Sequence, residues 1–316
     1  MQIYKYPSCK STGVAIPECA LALGLFDGVH IAHRDLILRA KENAARLGLP
    51  FGIFTFASDT GIKGGSPRLY SDDDKLDLFE RIGADLVIVS DFSHIRDMNA
   101  EDFVREVLVG DCGCRFAVAG FNFRFGKRAS ADAVMLCTLM EKEGYAAQIV
   151  DELKYGDEAV STTLIRAHIA DGRIEMANTL LGSPYFIKGK VEHGNRVGRS
   201  LGFPTVNLPL DDGRAALRRG VYRSAVVISG KIYSSVTNIG VCPTFDERQA
   251  HAETYILDFT GEIYGDDITV YLLGYLRDEV RFSTPEALTE QINKDKEKAK
   301  KENGDLTWQE LGLNLQ

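Results

Sequence analysis

Two domains of different class are predicted for this chain: an α/β domain on a parallel sheet, then a small all-β barrel with a terminal helix. Three observations lead there. The chain has 316 residues, more than one hydrophobic core usually organises. Up to residue 181, short apolar runs alternate with helical repeats, the pattern of a parallel sheet covered by helices. From Gly182 strands dominate, glycines are frequent, and helical spacing returns only near the end. The expected domains are 1–181, an α/β domain; 182–303, a barrel with its C-terminal helix; and 304–316, a tail.

Composition sets outer bounds on function. With 45% hydrophobic and 26% charged residues the chain is an ordinary globular one, and it lacks the run of about twenty apolar residues that a membrane span needs. The opening MQIYKYPSCK has no apolar signal core, so a cytoplasmic location is expected. A net charge of −8 argues against a general nucleic-acid binder, whose affinity rests on a basic surface. The six cysteines show no CxxC pair and no zinc-type spacing, so free thiols are expected. Cys112 and Cys114, flanking Gly113, suit either a redox pair or a turn with two incidental thiols.

In the first domain the expected strands are 20–25, short and apolar, 51–56, an aromatic and β-branched run, and 86–89, 116–119 and 147–150. Between them lie expected helices at 34–47, 75–82, 100–109 and 131–143; the first carries Leu36, Ile37, Ala40, Ala44 and Leu47 at helical spacing and is closed by Gly48. A helix at 173–181 connects to the barrel, whose strands are expected at 185–191, 220–228, 231–239, 253–259 and 268–275. Ser229 and Gly230 suit a tight hairpin turn, and Ser283 with Glu286 suits a capping box for a helix running to about Glu302. The lysines of that helix read as a solvated face rather than a nucleic-acid patch.

Three stretches carry chemistry in the first domain. In GLFDGVHIAH, residues 24–33, Asp27 and Gly28 supply turn chemistry between a strand and a helix. His30 and His33 then project from one side of the first helical turn, where free backbone N–H groups and the helix dipole favour an anion. A strand–turn–helix with surface histidines fits the same residues. GFNFRFG, residues 120–126, places Asn122 and Arg124 among aromatic rings, suited to a nucleotide or to packing on the domain. Ser161, Thr162 and Thr163 open a helix with Arg166 one turn on, an arrangement that capping explains equally well.

In the barrel the informative stretch is GKVEHGNRVGRSLGFPTVN, residues 189–207. Gly189, Gly194, Gly198 and Gly202 allow close backbone approach to a polyphosphate, and Lys190, Arg196 and Arg199 neutralise it. The stretch is neither a P-loop nor a dinucleotide fingerprint. It ends in Thr205 and Asn207, oxygen ligands on one face of an extended piece and of the hard kind that magnesium accepts.

Over nearly its whole length the chain resembles the bifunctional riboflavin kinase/FMN adenylyltransferases, the bacterial FAD synthetases. The matching blocks are GLFDGVHIAH, GFNFRFG, STT with Arg166, LLGSPY, the 189–207 stretch, NIGVCPTF, and ETYILDF followed by IYG. The resemblance implies an N-terminal nucleotidyltransferase domain, dinucleotide-binding-like in its sheet, that moves AMP from ATP to FMN to give FAD. It implies a C-terminal riboflavin kinase barrel that phosphorylates riboflavin to FMN. Mg²⁺, ATP, riboflavin, FMN and FAD are then the expected ligands, with neither nucleic acid nor membrane as a partner. By resemblance Thr205 and Asn207 hold Mg²⁺ and the ATP phosphates, and Gly189, Lys190, Gly194, Gly198, Arg199 and Gly202 bind the nucleotide. Glu253 is the base for the ribityl hydroxyl. In the first domain Phe26, Asp27, His30, His33, Asn122, Thr163 and Arg166 match the family's nucleotide-binding pattern.

That first domain also departs from the pattern. Relatives read GNFDGVHxGH, whereas Leu25 and Ala32 stand here; TFASDTG at 55–61 lacks the family's EPHP segment; and Leu164 takes the place of the Arg in STR. Each lost polar contact to a charged group is worth about 1.5–3 kcal/mol, so FMN formation is expected to be robust and FAD formation slow or absent. Two alternatives stand beside this reading: a monofunctional riboflavin kinase with a non-catalytic first domain, and a flavin sensor without ATP turnover.

Overall fold

The computed structural model describes residues 1–11, 13–57, 67–192, 203–211, 213–241 and 250–313. The chain divides into two compact units, Met1–Ser161 and Thr162–Gln316.

The first unit is built on strands β1 (Gln2–Tyr6), β2 (Cys19–Leu23), β3 (Phe51–Phe56), β4 (Leu86–Ser90), β5 (Cys114–Gly120) and β6 (Ala146–Val150). Its main helices are α1 (Ile31–Leu47), α2 (Asp72–Ile82) and α3 (Ala133–Lys142). Every pairing in this sheet is parallel and the order is β1-β4-β3-β2-β5-β6. The connectivity reverses between β2 and β5, and such a switch point opens a crevice beyond the strands' carboxyl ends. β2 is buried at every position, as a central strand covered on both faces must be. β1, an edge strand, was not expected from its mixed polar and apolar sequence.

Two details differ from the expected helices, and a third settles the cysteine pair. α3 starts at Ala133 because Asp132 caps it, accepting from Met135 N at 2.9 Å, while Ala131–Asp132 pairs with Arg124–Phe125. The helix expected at 100–109 is a short α-turn, Ala100–Asp102, continued as a π-helix over Phe103–Asp111, which sets Phe103, Val104, Val107 and Leu108 in the core. Cys112 and Cys114 are fully buried beside the Gly113 turn, and burial pushes both thiols up. The thiolate that redox chemistry needs is therefore disfavoured, and the turn with two incidental thiols describes them.

The second unit opens with α4 (Thr162–Ala170) and α5 (Ile174–Leu181) and continues through β7 (Tyr185–Lys190), β8 (Thr205–Pro209), β9 (Gly220–Ile228), β10 (Lys231–Val241), β11 (Ala250–Ile256) and β12 (Asp267–Arg277) to α6 (Pro285–Asn303). α5 docks on the sheet through Asn178, whose Nδ2 donates to Leu272 O and whose Oδ1 accepts from Tyr185 N, both at 2.8 Å. The sheet is antiparallel throughout, in the order β7-β12-β9-β10-β11-β8. It curls until its edges approach: just past β7, Glu192 N donates to Asn207 O at 2.9 Å in a single bridge to β8. The result is a half-barrel with a terminal helix.

Local chemistry accounts for its turns and ends. Ser229 (φ 47°) and Gly230 (φ 73°) make the left-handed pair that joins β9 to β10, the geometry that matches strand twist. The strand expected at 253–259 runs instead over Ala250–Ile256 and stops before Asp258, which has φ 54°. α6 is capped by Thr284, whose Oγ1 accepts from Ala287 N, rather than by Ser283. Inside the sheet Ser224, Ser235, Thr237 and Thr254 are fully buried and bonded to one another at 2.7–2.9 Å, so the buried hydroxyls satisfy themselves.

Candidate active sites

Among the described residues, each unit brings candidate site residues together. In the first, the turn after β2 and the loop after β5 leave adjacent strand ends at the switch point, since Leu23 and Ala119 are register partners. The turn is tight and strained: Phe26 (φ 51°) and Val29 (φ 44°) take left-handed conformations that cost non-glycine residues energy, beside Gly28 (φ 90°). Gly24 is required because a Cβ there would lie 2.8 Å from the Phe26 ring. Asp27 Oδ1 accepts from Leu69 N at 3.0 Å, and Thr55 Oγ1 donates to Leu25 O at 3.1 Å, so neighbouring segments pin the turn.

His30 is the N-cap of α1, its Nδ1 accepting from His33 N at 3.3 Å. That bond leaves Nε2 as the proton-bearing nitrogen of a neutral His30 ring. The two imidazoles stack with centroids 3.6 Å apart, and the buried Phe26 ring meets His33 and Phe79 edge-on. Phe26 thus shapes the turn from beneath, and the histidines form a stacked pair where backbone N–H groups emerge. After β5, Asn122 is exposed; a Cβ on Gly120 would sit 3.4 Å from its Oδ1 and 3.7 Å from Leu36 of α1, which places Asn122 beside that helix. Of the aromatics in the same loop Phe125 faces inward, packed on Phe103 and Phe123, whereas Phe121 is exposed. Phe26, Asp27, His30, His33 and Asn122 therefore share one edge. Thr163 and Arg166 belong to α4 of the second unit, where Arg166 Nη2 donates to Thr163 Oγ1 at 3.3 Å.

In the second unit β8 and β11 pair with Thr205 opposite Tyr255 and Asn207 opposite Glu253, so these four share a face. Thr205 Oγ1 donates to Glu253 Oε1 at 2.8 Å. Thr205 and Glu253 stand in the wall of a cavity of about 370 Å³ between this face and α6. Val221, Val236, Tyr255, Phe282, Leu288 and Ile292 give it an apolar lining suited to a flat ring system. Gly189 and Lys190 end β7, with Lys190 paired in register to Asp267. Gly194, Arg196, Gly198, Arg199 and Gly202 lie outside the described residues.

Sequence reasoning missed the far side of the cavity. Arg277, at the end of β12, grips Asp295 of α6 with Nε and Nη2 at 2.7–3.1 Å, and Gln291 Nε2 adds a bond to Asp295 Oδ1 at 2.8 Å. Asn238 Nδ2 donates to Glu279 Oε1 at 3.2 Å. All but Gln291 line the cavity. No local motif marks these residues, because strand pairing and a returning helix bring them together.

A family model for riboflavin kinase matches residues 181–302, and one for FAD synthetase matches residues 14–164. The bifunctional riboflavin kinase/FMN adenylyltransferase of Bacillus subtilis (strain 168) is 35% identical over 292 residues, covering 89% of this chain and 92% of the relative. The enzyme of the same description from Haemophilus influenzae is 33% identical over 288 residues, covering 89% and 93%. A solved structure described as a macrolide-efflux protein from Streptococcus pneumoniae has a TM-score of 0.84 at 28% identity, over 95% of this chain and 99% of that one. Among the described residues no helix is long and apolar enough to cross a membrane. The relatives span both halves, so they give no support to a single-activity kinase or a non-catalytic sensor. The chain belongs to the bifunctional riboflavin kinase/FMN adenylyltransferase family.

Proposed function

We propose that this enzyme converts riboflavin to FMN in its second unit and FMN to FAD in its first, in the cytoplasm, with ATP as the donor in both steps. The observation that carries the kinase half is the Thr205–Glu253 hydrogen bond in the wall of an apolar cavity. The cavity takes the flavin ring and Glu253 faces the end of the ribityl chain. Its carboxylate accepts the proton of the terminal hydroxyl as that oxygen bonds to the γ-phosphorus of ATP, and ADP leaves. Gly189 and Lys190, with the glycines and Arg199 that follow, bind the nucleotide.

Thr205 and Asn207 fit Mg²⁺ by their donor chemistry. Both offer neutral oxygens on one face of β8 and would be the residues that hold the ion. Among the described residues no cluster of His, Cys, Asp and Glu suits a metal instead. Held by Thr205 and Asn207, Mg²⁺ would supply neutralisation of the charge on the transferring phosphate.

In the first unit, His30, His33 and the start of α1 face the ATP phosphates, with Phe26 and Asp27 holding the turn and Asn122 beside it. The FMN phosphate attacks the α-phosphorus and pyrophosphate leaves. The assignment of Thr163 and Arg166 to nucleotide binding rests on the family pattern alone. Leu25 in this turn and Ala32 in the first turn of α1 place side chains without hydrogen-bonding groups there, so the second step runs more slowly than the first. The purified chain, given riboflavin, ATP and Mg²⁺ and sampled over time with the flavins separated, accumulates FMN first and FAD later. Absence of FMN overturns the kinase reading, and FAD keeping pace with FMN overturns the weakened second step.

A further inference from the structure

Asn238 and Glu279 have no part in the steps above, yet they continue the row that Thr205 and Glu253 begin. Asn238 is the register partner of Glu253 across β10 and β11, about 5 Å away on the same face. Its Nδ2 holds Glu279 Oε1, and all four residues line the one cavity. Gly240 makes room for this pair, since a Cβ added there would collide with the Glu279 carboxylate. The wall therefore reads hydroxyl, carboxylate, amide, carboxylate within an otherwise apolar cavity.

The face of a flat ring laid on that row strips water from a carboxylate and an amide and returns no bonds, which is costly. A polyol chain suits it. Hydroxyls on successive carbons each donate and accept, and they follow a terminal hydroxyl at spacings that one strand separation spans. With the terminal hydroxyl at Glu253, the inner hydroxyls fall beside Asn238 and Glu279, and the ring lies farther along the apolar lining.

We propose that Asn238 and Glu279 form a polyol subsite of the kinase half: Glu279 accepts from, and Asn238 donates to, inner hydroxyls of the ribityl chain. The subsite selects flavins with a hydroxylated side chain over those with a plain alkyl one. It rests on the reading that Glu253 meets the terminal hydroxyl.

The test is steady-state FMN formation by the full chain with riboflavin and with analogues lacking each inner hydroxyl in turn. Glu279→Gln raises KM for riboflavin about tenfold or more, the size expected for a lost charge-assisted bond, while kcat and KM for ATP stay within about threefold. Wild type discriminates against at least one deoxy analogue by a similar factor, and Glu279→Gln does not. Gly240→Ala, which keeps the charge but displaces the carboxylate, reproduces the rise in KM and serves if Glu279→Gln does not fold. An unchanged KM in the folded variants, or equal losses for every analogue in wild type and variant, overturns the subsite. Glu253→Gln is assayed alongside: if it keeps its FMN-forming rate, the reading of Glu253 fails, whatever the Glu279 variants show.

Discussion

The Thr205 hydroxyl donates a 2.8 Å hydrogen bond to Glu253 Oε1, joining residues 48 positions apart in the chain. It orients the carboxylate and ties the phosphate side of the site to the proposed base. Thr205→Val removes the donor and one candidate metal ligand at little change in volume. The expected loss is about tenfold or more in kcat/KM for riboflavin phosphorylation, with adenylylation of supplied FMN unchanged. Separate assays with riboflavin and with FMN as starting flavin check this.

Arg277 and Asp295 hold α6 over the cavity through a pair in which Asp295 is almost fully buried and Arg277 largely so. Removing one partner strands the other charge. Asp295→Ala is expected to cost the second unit about 3 kcal/mol of stability, read from denaturant unfolding, and to weaken riboflavin binding by loosening the helix. Riboflavin titration by fluorescence measures the second effect.

His30 and His33 are stacked at the start of α1, in the unit without the kinase cavity. His30→Ala deletes both the helix cap, worth about 1 kcal/mol, and the imidazole. FAD formation from FMN is expected to fall at least about tenfold while FMN formation stays at the wild-type rate. Product analysis from riboflavin then shows FMN without its usual conversion.

Burial pushes the Cys19 thiol up to about 12 and raises those of Cys112 and Cys114 as well. The neutral thiol is the form that folding favours. Its contribution is therefore complete below the ordinary thiol value of about 8.5 and is lost as pH climbs from there toward the raised values. Iodoacetamide labelling of the native protein should leave these three unmodified from pH 7 to about 9, whereas denatured protein labels at all of them. Peptide mass analysis distinguishes the sites.

Much of the architecture was legible in the chain because burial patterns are local. β3 and β9 fall on their expected residues, 51–56 and 220–228, where aromatic and β-branched side chains crowd. The turn at 24–33 and the Thr205/Asn207 face were legible for the same reason. β1 was not, since an edge strand tolerates exposed polar and apolar residues alike. The cavity wall was hidden for a different reason. Asn238, Glu279, Arg277 and Asp295 acquire meaning only from the register of β10 with β11 and from the return of α6, which no local spacing encodes.

The most direct test of the account is the rate of FMN formation by Glu253→Gln, measured beside its ATP binding. The account predicts a fall of about 10²-fold or more with ATP binding largely intact, as expected when a proton acceptor is replaced by a near-isosteric amide. A variant that keeps most of the wild-type rate contradicts it.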